Sequence, residues 1–191
     1  GLQTNDARIL GAFMEDGKIQ FVGNTLDTST GNAAVYHGKI SDLATVPMLH
    51  TYIFGDPVMD FGYPNLAYAG SGAGDETTVI GMLHSASLVQ PGVSAILYDG
   101  LEYSSVTNVK TGNGYISLIS GDERWGDYSG MQRKYNEPGV VWMNGMFGST
   151  SHAHSTWISE LLIAPNVGIA PVNDQQGPVE DAIGGLRGRL A

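Results

Sequence analysis

The chain has 191 residues, a formal charge of −10, a charged content of 15%, 27 glycines and no cysteine. The length suits one domain with a sizeable core, and few charges among many turn-forming residues favour an all-β protein. Nine scattered Lys and Arg residues argue against nucleic-acid binding. The missing cysteines exclude disulfides and thiolate metal sites, and no apolar run is long enough for a membrane helix.

The first four predicted strands are Arg8–Met14, Lys18–Asn24, Ala33–Ile40 and His50–Phe54. Asp16-Gly17 lies between the first two of them. An Asp-Gly pair between two apolar runs is a strong hairpin signal, because both residues accept a positive φ. The N-terminal part therefore predicts a meander of short antiparallel strands.

The same pattern then restarts twice. The second set of predicted strands is Asn65–Ala69, Thr77–His84, Ser94–Tyr98 and Ser105–Val109, with Gln90-Pro91-Gly92 as one of its turns. The third set is Tyr128–Tyr135, Val140–Phe147 and Trp157–Ile163, and no fourth strand is evident after it. The third strand of each set carries an aromatic residue; these residues are Tyr36, Tyr98 and Trp157.

A repeat of four short strands at this period is typical of β-propeller blades. We therefore predict an all-β propeller portion over residues 1–163, with about three four-stranded antiparallel blades at 8–55, 60–112 and 124–163, the last of them incomplete. A β-sandwich is the alternative, since it also has many short strands with regular turns. Residues 164–191 are predicted to be a tail or linker, in which Val179–Leu190 is a candidate short helix.

Three blades are too few to close a ring, because propellers have about 4–8 of them. Open sheet edges promote unwanted pairing, so the prediction requires a partner that completes the propeller. This partner is either another chain or further copies of the same chain. Because the sequence starts at Gly1, we also expect a processed fragment of a larger protein.

One segment carries a family resemblance. The string Arg124-Trp125-Gly126-Asp127-Tyr128-Ser129-Gly130, together with Trp142 and Thr156-Trp157-Ile158, resembles a blade of secreted bacterial proteins with sialidase-like propellers of the BNR or Asp-box type. Phe61-Gly62-Tyr63-Pro64 resembles the opening of a neighbouring blade. The resemblance covers about residues 60–163 and corresponds to the C-terminal blades.

The resemblance implies an extracellular or cell-surface location and, in many members, export by type IX secretion. The Asp box that names the family is not intact here. Its nearest trace is Asp99-Gly100-Leu101-Glu102-Tyr103, in which the glycine is displaced and tyrosine replaces tryptophan. This departure indicates a structural remnant and not a binding loop.

The sequence offers one candidate ligand site, formed by Arg124, Asp127 and Tyr128. An Arg and an Asp three residues apart at a strand entrance are suited to face a ligand at the mouth of the ring. The alternative is structural: Asp127 caps a turn and pairs with Arg124, while Trp125 and Tyr128 pack between blades.

His152 and His154 form the candidate metal site. Side chains two residues apart on a strand point to the same face, so both imidazoles are placed to bind one ion. The competing interpretation is a solvated loop. Calcium is a second candidate ion, with carboxylates in Gly72–Glu76 and Gly121–Glu123, although neither segment has the spacing of a known calcium loop.

These features together predict a non-catalytic secreted module that binds a glycan or a protein, or that serves structural display. No cofactor apart from calcium is expected, and neither nucleic acid nor membrane insertion. Two alternatives stay open: part of a sialidase-like glycoside hydrolase, and a self-assembling surface or filament subunit. A hydrolase of that type needs an arginine cluster and a tyrosine nucleophile, whereas only Arg8, Arg124 and Arg133 precede the tail.

Overall fold

The computed structural model describes residues 2–4, 6–120, 123, 125–150, 152–163 and 186–190. These residues form strands and loops, without a helix among them. The strands are β1 (Ile9–Glu15), β2 (Lys18–Leu26), β3 (Ala33–Ser41), β4 (Met48–Phe54), β5 (Asp60–Tyr68), β6 (Thr78–Ala86), β7 (Val89–Tyr98), β8 (Thr107–Lys110), β9 (Gly130–Arg133), β10 (Val140–Gly148), β11 (His154–Ile163) and β12 (Leu186–Leu190).

The strands make three antiparallel sheets of four strands each. The first sheet has the order β1-β2-β3-β4, the second β5-β6-β7-β8 and the third β12-β11-β10-β9. The predicted all-β class and its three antiparallel units are therefore confirmed. In the part of the chain that the structure describes, the sheets form an open stack, with the second sheet in contact with both of the others.

One predicted turn is wrong. Gln90-Pro91-Gly92 lies inside β7, and the preceding hairpin turns at Ser87 and Leu88 instead. The ladder between β6 and β7 shifts register between His84 and Ala86, close to Pro91. A proline without an amide hydrogen is tolerated at such an irregularity, so it does not end the strand.

The expectation of an incomplete last blade is also wrong. Leu186–Leu190 pairs antiparallel with β11, from Ser159 opposite Leu190 to Ile163 opposite Leu186. This strand replaces the described part of the predicted helix Val179–Leu190. Its sequence, Leu-Arg-Gly-Arg-Leu, alternates with the two-residue period of a strand. The predicted linker falls mainly on residues 164–185, which lie outside the described residues.

The second sheet is buried on both of its faces. Along β6, Val79 and Leu83 belong to the core shared with the third sheet, whereas Ile80 and Met82 belong to the core shared with the first. Every one of these side chains is fully buried. Burial on both faces explains why this strand reads as a continuous apolar run and not as an alternating one.

Close approach of the second and third sheets depends on Gly145 in β10. A Cβ atom at this position would lie 2.9 and 3.0 Å from the two methyl groups of Val93 and 3.1 Å from a methyl group of Leu83. Both neighbours are buried, so there is little room for them to move away.

We therefore expect Gly145→Ala to lower the free energy of unfolding by about 1–3 kcal/mol through overpacking. Urea denaturation measures this loss. Gly72→Ala is the matched control, since a Cβ atom at Gly72 would meet nothing within 4 Å. Equal stability of the two variants would contradict the packing argument.

A buried polar network joins the first sheet to the second. The Gln20 side chain donates from Nε2 to the carbonyl of Glu76 at 3.1 Å, and its Oε1 accepts from Thr78 Oγ1 at 3.0 Å. His37 Nε2 lies 3.1 Å from the same Oε1, and His37 Nδ1 lies 2.6 Å from the hydroxyl of Tyr103. These partners assign the hydrogen of the neutral imidazole to Nε2, with Nδ1 as acceptor. Burial, reinforced by the nearby charge of Lys39, lowers the pKa of His37 to about 4.

Candidate functional site

Three equivalent residues of the repeat meet at one end of the sheets. Glu15, Tyr68 and Arg133 are the last residues of β1, β5 and β9, which are the first strands of their sheets. These strands lie side by side, β5 touching both β1 and β9. Arg133 Nη1 donates to the Glu15 carboxylate at 2.9 Å, and its guanidinium carbon lies 5.6 Å from the centre of the Tyr68 ring.

A cleft of about 400 Å³ opens beside these residues. Its walls are the β1–β2 turn, the loop after β5 and the β9–β10 turn. A second hollow of about 220 Å³ shares Glu15, Tyr68, Arg133 and Tyr135 with it and continues along the first strands. We call the two hollows together the inner-strand cleft. Its size falls in the range of small-ligand sites, about 300–1,000 Å³.

Aromatic rings hold the arginine in place. The Arg133 guanidinium carbon lies 4.3 Å from the centre of the Tyr135 ring, so the cation contacts two tyrosines and one carboxylate. The Tyr135 side chain remains 71% exposed. It therefore presents ring surface to solvent at the edge of the cleft, while Arg133 is fixed beneath it by charge and cation–π contacts.

Hydrogen bonds between the sheets shape the cleft wall. The amide of Gly74 donates to the Asp16 carboxylate at 2.8 Å and ties the loop after β5 to the β1–β2 turn. The Tyr68 hydroxyl donates to the carbonyl of Gly72 at 3.0 Å. Burial, together with the charge of Asp75, raises the pKa of Tyr68. The phenol therefore stays protonated and keeps this loop against β5.

The rim of the cleft carries a paired lysine. Lys134 Nζ lies 2.7 Å from a Glu137 carboxylate oxygen and 2.8 Å from one of Glu160. The hydrogen bonds to Glu137 and Glu160 raise the pKa of Lys134. One ammonium between two carboxylates leaves this part of the rim with a net negative charge, which suits recognition of a polar ligand more than of an anion.

Two of the three predicted ligand residues, Asp127 and Tyr128, are not among the residues that line the inner-strand cleft. Arg124 falls outside the described residues. Asp127 adds a minor charge effect to the raised pKa of Arg8, whose main cause is its hydrogen bond with Asp6. The Tyr128 side chain is 80% exposed, which differs from the packing role considered for it. The neighbouring Trp125, by contrast, is buried in the core.

The two histidines predicted to bind a metal have different surroundings. His152 has a left-handed backbone conformation, with φ of 59°, and its ring stacks on Tyr115 at 4.2 Å between centres. His154 is the exposed first residue of β11. The described residues contain no group of three or more His, Asp or Glu side chains arranged to hold a metal ion.

The carboxylates considered for calcium are engaged by protein groups where the structure describes them, and Glu76 lies 2.7 Å from both Lys18 Nζ and Lys39 Nζ of the first sheet. Asp75 accepts from the amides of Ser71 and Thr77, at 2.8 and 2.9 Å. Glu123 accepts from two amides of the preceding loop, at 2.9 and 3.1 Å. Both carboxylates thereby close their own loops. Gly121 and Asp122 lie outside the described residues.

Glu15, Tyr68 and Arg133 were not predicted from the sequence as a group. The available signal was their position, because each residue ends the first strand of its repeat. Superimposing the three repeats would have aligned them. Their chemical difference hid the relation, since a carboxylate, a phenol and a guanidinium do not look like a repeated motif.

No family model, curated protein or solved structure matches this chain. The resemblance to sialidase-like propellers therefore depends on the residues quoted for it. Within the described residues, no helix has the length and apolar character needed to cross a bilayer.

Proposed function

We propose that the chain forms three blades of a β-propeller and acts as a non-catalytic module that binds glycans at the inner-strand cleft. One observation carries the proposal: Arg133 is held between Tyr68 and Tyr135 and paired with Glu15 at the mouth of a cleft. The cleft is built by corresponding ends of three repeated sheets.

The strand order supports the propeller. Each sheet is a four-stranded meander in sequence order, the first strands lie side by side, and the sheets pack face to face. A propeller places its blades in this way around an axis next to the first strands. Further sheets, from another chain or from copies of this one, would complete the ring and leave the inner-strand cleft at its mouth.

The chemistry of the cleft supports a sugar ligand. Tyrosine rings offer a flat apolar face with negative character, which suits the C–H groups of a sugar ring. Arg133, Glu15 and the backbone of the glycine-rich loop after β5 supply donors and acceptors for hydroxyl groups. The resemblance in residues 124–130 supports an extracellular or cell-surface setting, in which such ligands are abundant.

A sialidase-like hydrolase is less well supported. Its chemistry needs several arginines directed at one carboxylate of the substrate. Among the described residues, Arg8 pairs with Asp6 and Arg133 pairs with Glu15, so these two arginines serve separate carboxylates. We therefore propose binding without catalysis.

We expect Tyr135→Ala to weaken glycan binding at least about tenfold, or about 1.4 kcal/mol, without loss of stability. The reason is that Tyr135 is largely exposed and contributes ring surface to the cleft. Isothermal titration calorimetry with defined hexasaccharides of glucose, xylose, N-acetylglucosamine and galacturonic acid measures the effect.

Tyr128→Ala is the matched control, since Tyr128 is also a largely exposed tyrosine and does not line the cleft. It should bind like the wild type. Loss of binding in Tyr128→Ala but not in Tyr135→Ala would move the site to the segment around Asp127. Absence of binding to the whole panel by the wild-type chain would overturn the glycan proposal.

A further inference from the structure

The outer face of the first sheet, turned away from the second, is apolar across four strands. Side chains opposite one another share a face, and the register places the following residues on it: Ile9, Ala12, Met14, Ile19, Phe21, Tyr36, Ile40, Leu49, Thr51 and Ile53. None of these ten side chains is charged. Met14, Leu49 and Ile53 are 67%, 58% and 48% exposed. In a chain of net charge −10, an uncharged face of this extent points to a buried interface.

The outer face of the third sheet is a suitable counterpart. It carries Trp142, Ile158 and Leu162, again by register. A hollow of about 270 Å³ lies between Trp142 and Ile158 on this face. Glu160 on this face is paired with Lys134 at 2.8 Å, and the register places Arg189 opposite Glu160 and Arg187 opposite Leu162 in the edge strand β12. The part of the face formed by β9, β10 and β11 therefore offers an apolar depression to an incoming sheet.

The area of these faces is large enough for a stable contact. Strands of seven to nine residues, at about 3.3 Å per residue and about 4.8 Å between strands, give a face of roughly 500 Å². Two such contacts, counted on both partners, bury roughly 2,000 Å². A stable interface needs about 1,200–2,000 Å².

We propose that a second copy of this chain covers the outer face of the first sheet with the outer face of its own third sheet. The reciprocal contact then closes a two-fold ring of six sheets. This inference rests on the propeller architecture proposed above. Two copies are favoured because six sheets fall within the range of known rings, about 4–8 blades, whereas three copies exceed it. In each of the two contacts the first sheet of one copy meets the third sheet of the other, so neither outer face is left exposed.

Size-exclusion chromatography with light scattering tests this arrangement. The wild-type chain should have twice the 20.2 kDa mass of one chain. Ile53→Lys on the first sheet and Ile158→Lys on the third should each reduce the mass to that of a monomer. Leu88→Lys should remain a dimer, since Leu88 is 94% exposed in a turn outside both faces. Thr51→Lys provides a second variant on the first sheet that removes no apolar contact.

A mixture of Ile53→Lys and Ile158→Lys should regain dimers, because one of its two contacts joins unaltered faces. Pairing between two first sheets predicts instead that Ile158→Lys alone stays dimeric. A wild-type monomer at all concentrations would overturn the proposal. Circular dichroism verifies that each variant is folded. Tyr135 lies on neither face, so glycan binding is measured independently of assembly.

Discussion

Lowering the pH from about 6.5 to about 4 is expected to reduce the free energy of unfolding by about 3 kcal/mol for each of two buried histidines. These are His37 and His84, both 3% exposed. Burial lowers the pKa of His84 to about 4, and the pKa of His37 falls to the same value through burial and the charge of Lys39.

The direction follows from proton uptake. The unfolded chain protonates its histidines near pH 6.5, whereas the folded chain keeps both neutral until about pH 4. Between these values the unfolded state binds more protons, so stability falls as the pH falls. Above pH 6.5 the full contribution is present. His84 is held neutral beside Ser94, whose Oγ lies 2.7 Å from Nδ1.

Urea denaturation at half-unit pH steps measures the slope. His37→Gln and His84→Gln should each remove about half of the pH dependence in this window, in addition to any loss at pH 7. His50→Gln is the matched control, because His50 is exposed in β4. An unchanged slope in both buried-site variants would show that carboxylates, and not these histidines, control acid unfolding.

The repeat explains how much of the fold could be predicted. Each of the eleven predicted strands overlaps one of β1–β11, because turn residues and apolar runs both mark short antiparallel strands. The start of β5 was missed at Asp60–Pro64. Its register shifts between Gly62 and Asn65, and Tyr63 has a φ of 50°. Such an irregularity interrupts the alternation that sequence analysis relies on.

The last strand, β12, could not be predicted from the sequence for a different reason. The sequence predicted a helix over Leu186–Leu190, whereas these residues form a strand. Five alternating residues with a glycine in the middle are too short a pattern to indicate a strand by themselves. Its pairing with β11 joins segments more than twenty residues apart. Long-range pairing of this kind depends on an unpaired edge already being present. The sequence alone indicated that the third unit lacked a strand but not which segment supplies it.

Candidate sites were harder to predict than strands. The sites predicted from the sequence are local groups, namely Arg124-Asp127-Tyr128 and His152-His154. The inner-strand cleft is instead formed by residues of three repeats that lie far apart in the chain. Arg133 and Glu15 are 118 residues apart in the chain. Only the common position of these residues in the repeat brings them together, so a search for spacing within one segment cannot find them.

Replacing Gln20 by leucine is expected to lower the free energy of unfolding by about 1–3 kcal/mol, despite the similar volume. Gln20 is 2% exposed and connects Glu76, Thr78 and His37 across two sheets. Leucine would leave the His37 Nε2–H without its partner, whereas the Glu76 carbonyl would keep Thr78 Oγ1 at 2.9 Å. Each buried group that loses its hydrogen bond costs about 1–3 kcal/mol. Thermal and urea denaturation measure the loss, and Gln90→Leu at an exposed site of β7 serves as the control.

A double-mutant cycle tells whether this network or the adjacent apolar core joins the sheets. Thr78 donates to Gln20 and also lies 2.9 Å from the carbonyl of Glu76, so Thr78→Val removes one bond of the network. If the polar contacts act together, the double variant should lose less than the sum of the single losses, with a coupling of about 0.5–3 kcal/mol. If the apolar core alone holds the first sheet, Gln20→Leu should be neutral or stabilising. That result would leave His37 neutral because of burial alone and would make the cross-sheet hydrogen bonds dispensable.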